Sequence, residues 1–152
     1  MRTVIQRVEH ATVSVAAENY TSSIGQGLMA LVACEEEDTM EDLEWLAKKM
    51  LALRIFDDEE GVMNRSVQDI GGDIMLVSQF TLYAKTAKGN RPSYIRAAKP
   101  EISVPLHNKF VSLVEELLGK PVGKGIFGAD MKVELVNDGP VTIVMDTKNK
   151  NI

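Results

Sequence analysis

The stretch "GGDIMLVSQFTLY", Gly71–Tyr83, decides how this chain folds. Two glycines open it, and Ile74, Met75, Leu76 and Val77 follow without a break. A strand that is apolar on both faces belongs in the middle of a sheet. Continued to Tyr83, that strand puts Gln79 and Thr81 on one face and Ser78 and Phe80 on the other. A hydroxyl, an amide and a second hydroxyl then stand where core residues are expected. Thr suits strands in any case, and Ser and Gln suit solvent, so composition alone leaves a bland and a chemical reading side by side.

The rest of the chain builds outward from this strand. Upstream, "RTVIQRVEHATVSV" is rich in β-branched residues and predicts one or two strands. "SIGQGLMALVAC" predicts a hairpin arm and then a buried strand, Leu28 to Cys34. A helix follows: Asp38 or Thr39 can cap it, Glu41 or Asp42 stands three residues later, and Leu43, Leu46, Ala47, Met50 and Leu51 share one face. "FDDEEGVMN" is a polar turn. Downstream, Ala84–Pro100 predicts an irregular segment. Phe110, Leu113, Val114 and Leu117 mark a second helix that Gly119 ends before Pro121. "MKVELV" and "VTIVMD" are strands joined by a turn at "NDGP", and the tail 147–152 is expected to fray. Together these elements predict an α+β fold: a largely antiparallel sheet with two main helices, and a sheet face covered by self-association in a homodimer.

Length and composition bound the possibilities. The 152 residues predict a single domain, 1–152, and the 45% apolar and 26% charged content is that of an ordinary globular protein. Cys34 is alone, so no intrachain disulfide forms, which fits a reducing compartment. Neither a signal-like apolar run at the start nor a span of roughly 20 apolar residues occurs, so the expectation is a soluble, cytoplasmic protein with no membrane partner. The net charge is −5, whereas a protein that coats long nucleic acid reads basic. DNA is not an expected partner, and any RNA would be gripped at a short end by a local patch.

Several chemistries lack their residues. The only histidines are His10 and His107, which is too few for a zinc site with Cys34 and a poor basis for a Ser-His-Asp triad at Ser78 or Thr81. No phosphate-binding or dinucleotide glycine loop occurs, so neither a cofactor nor a metal is expected. Cys34 reads as a small buried residue at a strand end. The positive signal follows the polar triplet. Between Ala84 and Pro100 stand Lys85, Lys88, Arg91, Arg96 and Lys99 with no acid. Such a run is either a solvated loop or a phosphate clamp, on which Tyr94 or Tyr83 could stack a base. "NDGPVT" carries Gly139-Pro140, and cis bonds occupy only about 5–6% of X–Pro positions, so the isomer stays open.

Taken together, these residues resemble the D-aminoacyl-tRNA deacylases, the D-tyrosyl-tRNA(Tyr) deacylase family. "SQFTLY" at Ser78–Tyr83 and "NDGPVT" at Asn137–Thr142 are similar to its two signature motifs. "LRIFDD", "MNRSV", "KGNRPS" and "GIFGADM" follow in the family order over nearly the whole chain. The chain departs from the family pattern at Lys85, Val62 and near Cys34.

The resemblance implies hydrolysis of the ester between a D-amino acid and the 3′-terminal adenosine of tRNA, in a homodimer whose active sites lie at the subunit interface. It implies that glycine mischarged on tRNA(Ala) is a substrate too. Ser78, Gln79, Phe80 and Thr81 are the implied catalytic segment, with the N–H groups around Gln79 and Phe80 and the Thr81 hydroxyl stabilising the oxyanion. No base stands beside Thr81 in the sequence, which favours the tRNA 2′-hydroxyl over Thr81 as the activating group. Gly139 and Pro140, with Asn137 and Arg7 in support, are implied as a wall from the partner subunit that blocks the L side chain. Lys85, Lys88, Arg91, Phe127 and Met131 are the implied contacts to the tRNA 3′ CCA end. The alternative is a non-catalytic RNA-end or nucleotide-binding dimer that uses the same basic loop.

Overall fold

In the computed structural model, which describes residues 1–152, the elements in chain order are β1 (Arg2–Val15), β2 (Tyr20–Ile24), β3 (Gly27–Ala33), α1 (Met40–Ala52), β4 (Phe56–Asp57), β5 (Met63–Arg65), β6 (Asp73–Ser78), α2 (Pro100–Leu118), β7 (Gly123–Lys124) and β8 (Lys132–Asp146). The β-branched N-terminal run forms one strand of 14 residues. β8 lines one edge of β1 antiparallel, while β2 and β3 share the other, against residues 11–15 and 2–8.

Most of the sheet's pairing is antiparallel, as expected, but the sheet is mixed. β6 runs parallel to β3, and β7 parallel to β6. A helix lies between the members of each parallel pair: α1 between β3 and β6, α2 between β6 and β7. Parallel neighbours require such a crossover. The ends of the strand order nearly meet. Tyr20 donates its hydroxyl to the Lys124 carbonyl at 2.6 Å, and the Lys124 N–H reaches the Ser22 hydroxyl at 3.3 Å.

β6 is apolar on both faces because each face has its own core. Ile74 and Leu76 join Leu43, Leu46, Ala47 and Met50 of α1 and Phe110, Val111 and Val114 of α2. Met75 and Val77 pack on the opposite side with Val8, Ala11, Val13, Ile24 and Met29. Thr39 caps α1 in a reciprocal box with Asp42, and Gly119 ends α2.

Three local expectations change. First, the strand stops at Ser78. The Gln79 N–H makes the last rung, to Val32 O at 2.8 Å, and β3 ends at Ala33. The chain then tightens into a 3-10 turn, Phe80–Tyr83, whose Leu82 carbonyl accepts from Arg2 Nη1 at 2.9 Å. Second, "NDGP" is not a turn between two strands. It lies within β8, where pairing passes from Asn137 opposite Val8 to Thr142 opposite Gln6. The four residues Asp138–Val141 therefore bulge out across from Arg7 alone. Third, the tail is anchored at its start: the Thr147 N–H bonds Met1 O at 2.9 Å, and Lys148 pairs with Asp42 at 2.8 Å. No helix is long and apolar enough to cross a membrane.

Candidate active site

A pocket of about 300 Å³ opens at the C-terminal ends of the parallel pair β3 and β6. Ligands of sheets with parallel strands gather at such ends, where the chain must leave the sheet. Val32–Cys34 and Val77–Phe80 form its floor, α2 contributes Ser103 and His107, and the segment between β7 and β8 contributes Phe127–Met131. The structure thus brings Ser78, Gln79 and Phe80 together with Phe127 and Met131. Thr81 stands just outside, tied to the pocket by Gln79, whose side-chain amide donates to its hydroxyl at 2.5 Å. No histidine or carboxylate bonds the Thr81 hydroxyl.

The backbone donors differ from expectation. The Gln79 N–H is occupied by Val32 O and is not free for an oxyanion. Within the 3-10 turn the first donor is the Leu82 N–H, to Gln79 O at 3.2 Å. The N–H groups of Phe80 and Thr81 precede that bond, so the turn's own ladder leaves them unused.

The aromatic residues divide. Phe80 is 55% exposed and meets Tyr94 edge-on, with centroids 5.1 Å apart. Tyr83 is buried and is not available to stack on a base. The Arg2 and Arg96 guanidiniums lie over its ring at 4.9 and 5.1 Å, and its phenol stays protonated through burial and the nearby Asp38, Glu35 and Asp146. Arg96 is occupied as well, donating to Glu35 at 3.1 Å. Lys85, Lys88 and Arg91 remain exposed and without ion pairs on a loop closed by the backbone pairing of Lys85 with Ser93. None of the three lines the pocket.

A second group assembles around the β8 bulge. Arg7, only 8% exposed, donates from Nε to Asp138 O at 2.7 Å and from Nη1 to Ile55 O at 2.6 Å. The Asp57 and Asp138 carboxylates each lie 3.8 Å from the same guanidinium. Asn137 closes the bulge: its Nδ2 donates to Val141 O at 3.2 Å, and its Oδ1 accepts from the Val141 N–H at 2.8 Å. Gly139 has φ +150°, and a Cβ there would stand 2.7 Å from the Val141 nitrogen. The Gly139-Pro140 bond is cis, and both residues are exposed. Neither lines the pocket of its own chain.

Sequence reasoning missed His107 as a pocket residue. The signal was its place four residues after Ser103 and three before Phe110, on the buried face of α2. Burial, reinforced by Lys124, pushes its imidazole down to about 4. Cys34 also lines the wall, and burial pushes its thiol up to about 12, so it stays a neutral thiol and no nucleophile.

Comparison with known proteins finds relatives over nearly the whole chain. Residues 4–146 match the model of the D-Tyr-tRNA(Tyr) deacylase family. A protein of Bacteroides thetaiotaomicron named D-aminoacyl-tRNA deacylase is 62% identical over 150 residues, covering 99% of each chain. The solved structure of the c-Myc DNA unwinding element binding protein superposes with a TM-score of 0.88 at 38% identity, over 96% of this chain and 98% of that one. A solved chain described as a probable eukaryotic D-amino acid tRNA deacylase superposes at 0.82 over 95% of this chain and 97% of its own, and its 20% identity speaks to the fold alone.

Proposed function

Because the chain belongs to the D-Tyr-tRNA(Tyr) deacylase family, we propose that it hydrolyses D-aminoacyl-tRNA to free tRNA and free D-amino acid. The carrying observation is the Gln79–Thr81 segment at the pocket rim, which offers unused backbone donors and no general base.

An aminoacyl ester is already activated, so the protein supplies position and charge stabilisation rather than a strong nucleophile. Water attacks the ester carbonyl carbon, and the N–H groups of Phe80 and Thr81 receive the developing oxyanion. The bond from that carbon to the ribose 3′-oxygen then breaks, and the leaving oxygen takes up a proton. A threonine hydroxyl needs a base to attack. The Thr81 hydroxyl has only the Gln79 amide, itself a donor, so the adjacent 2′-hydroxyl of the terminal adenosine is the group that relays the proton.

Selectivity comes from exclusion. The enzyme accepts many D side chains, and a rigid wall at the position of an L side chain rejects every L substrate with one device. The bulge at Gly139 and Pro140, locked by Arg7 and Asn137, is such a wall. It enters the pocket from a second subunit of a homodimer. In support, it is exposed and lies outside the pocket of its own chain. Glycine has no side chain to clash, so glycine mischarged on tRNA(Ala) is also cleaved. Lys85, Lys88 and Arg91 meet the phosphates of the 3′ CCA end, in the cytoplasm where tRNA is charged. The net charge of −5 favours this local grip over a long duplex.

The test is release of D-tyrosine from D-tyrosyl-tRNA by the wild type and by Thr81→Ala. Both should cleave. No release by the wild type would support a binding module instead, and complete loss in a folded Thr81→Ala would restore Thr81 as the nucleophile.

A further inference from the structure

Three glutamates in a row, Glu35–Glu37, follow β3, and only the first is buried. A carboxylate taken out of water needs partners. Glu35 finds both of its partners in the segment after β6. Its Oε2 accepts from Arg96 Nε at 3.1 Å, and its Oε1 accepts from the Tyr83 hydroxyl at 3.5 Å. Arg96 also lies over the Tyr83 ring, so the three side chains form a closed set. The Glu35 backbone is fixed in turn. Its N–H donates to Asp38 Oδ2 at 2.8 Å, and the carbonyl of neighbouring Cys34 accepts from the Ala98 N–H at 2.9 Å.

Tyr83 and Arg96 stand at the two ends of the loop that carries Lys85, Lys88 and Arg91. Every residue from Lys85 to Arg96 is exposed, so burial does not set the direction of this loop. The backbone pairing of Lys85 with Ser93 closes the loop on itself and leaves its angle to the body free. Its edge contact with the pocket rim, Tyr94 on Phe80, joins two exposed rings. The buried anchors are Tyr83 before the loop and Ala98 after it. Glu35 hydrogen-bonds the residue at each end, next to the backbone that holds Ala98. A loop tied at both ends spends less conformational entropy when a ligand orders it.

Resting on the deacylase reading, in which Lys85, Lys88 and Arg91 meet the RNA phosphates, we infer that Glu35 is a positioning residue for tRNA: by joining Arg96 to Tyr83 it fixes both ends of the cationic loop beside the pocket rim. It acts through the loop and not on the ester. The sign of its effect separates this role from simple charge. As a charge alone, an acid beside a cationic loop opposes RNA binding, and its removal would tighten the complex. As a positioning residue, its removal loosens the loop and weakens the complex.

Glu35→Ala should raise KM for D-tyrosyl-tRNA roughly ten-fold, the scale of one charge-assisted contact, and leave kcat nearly unchanged. The slope of log KM against log salt should become shallower by about one as a phosphate contact is lost. Glu35→Gln keeps an acceptor for Arg96 without the charge and should recover most of the loss. An unchanged or lowered KM in Glu35→Ala, a fall in kcat alone, or equal loss in both variants overturns the inference. Should Glu35→Ala fail to fold, Arg96→Met cuts the same joint from an exposed side chain, and an unchanged KM there refutes it. Binding of uncharged tRNA gives a readout independent of hydrolysis. Weaker binding by Glu35→Ala than by the wild type supports the role, and equal binding refutes it. If the wild type cleaves no D-tyrosyl-tRNA, the deacylase reading fails, and this binding comparison still decides the role of Glu35.

Discussion

Arg7 serves two acceptors with one guanidinium, and neither acceptor sits on a strand rung. Asp138 has no register partner in β1, and Ile55 precedes the short β4. Bonds from a charged donor are worth about 1.5–3 kcal/mol each. Arg7→Ala should therefore lose about 2–4 kcal/mol in urea unfolding and most of its turnover, because the bulge is no longer held. Arg7→Lys should not rescue, since one ammonium lacks the fork that spans both carbonyls. Full activity in Arg7→Lys would detach the guanidinium from the site. His107 makes a separate prediction at this scale. Its imidazole, near 6.5 when unfolded, titrates at about 4 in the fold, so the unfolded chain binds more protons between these values. Stability from this group is present above pH 6.5 and is lost as the pH falls to 4, by about 3 kcal/mol. On acidification the unfolding free energy of the wild type should fall by that amount relative to His107→Phe, read from urea unfolding at each pH; parallel curves would contradict the burial.

At the scale of elements, two glycines let backbones come close. A Cβ on Gly27 would lie 1.8 Å from the Asp73 carbonyl oxygen, its partner across the parallel β3–β6 pair. Gly27→Ala should cost about 3 kcal/mol or more, read as lost amide protection along β6. In Gly139→Ala the damage should fall on activity, because φ +150° and the 2.7 Å approach to the Val141 nitrogen force the exposed bulge to move. Unchanged deacylation kinetics there would remove the bulge from the site. Some of these elements were legible from local residues alone. The unbroken run Ile74–Val77 announced a strand with a core on each face, and Thr39 with Asp42 announced the start of α1. The 3-10 turn after Ser78 was not legible, because its causes lie elsewhere in the chain. β3 runs out at Ala33, and Arg2 holds the Leu82 carbonyl from 80 residues away. Tyr83 looked free to stack for the same reason, since Arg2, Arg96 and Glu35 come to it only in the fold.

At the scale of the whole molecule, the signature motifs named the Gln79–Thr81 segment and the Gly139-Pro140 bulge, while local sequence could not say that they sit apart in one chain. Their separation follows from topology: β6 ends at the pocket, whereas the bulge depends on the register of β8 against β1. The pocket's third wall, with His107 facing Phe127, exists only because α2 and the segment before β8 converge. β8 pairs only with β1, so its other edge is open over 15 residues, with Val133, Val136 and Val144 exposed along it. An open strand edge of that length invites pairing. Sedimentation should give twice the 16.7 kDa chain mass, and a monomer at working concentration would contradict a wall supplied by a partner. The most direct measurement compares the initial rates at which the wild type releases tyrosine from D-tyrosyl-tRNA and from L-tyrosyl-tRNA. Steric exclusion predicts rapid release from the D ester and none above the spontaneous rate from the L ester; equal rates would leave an esterase without a wall.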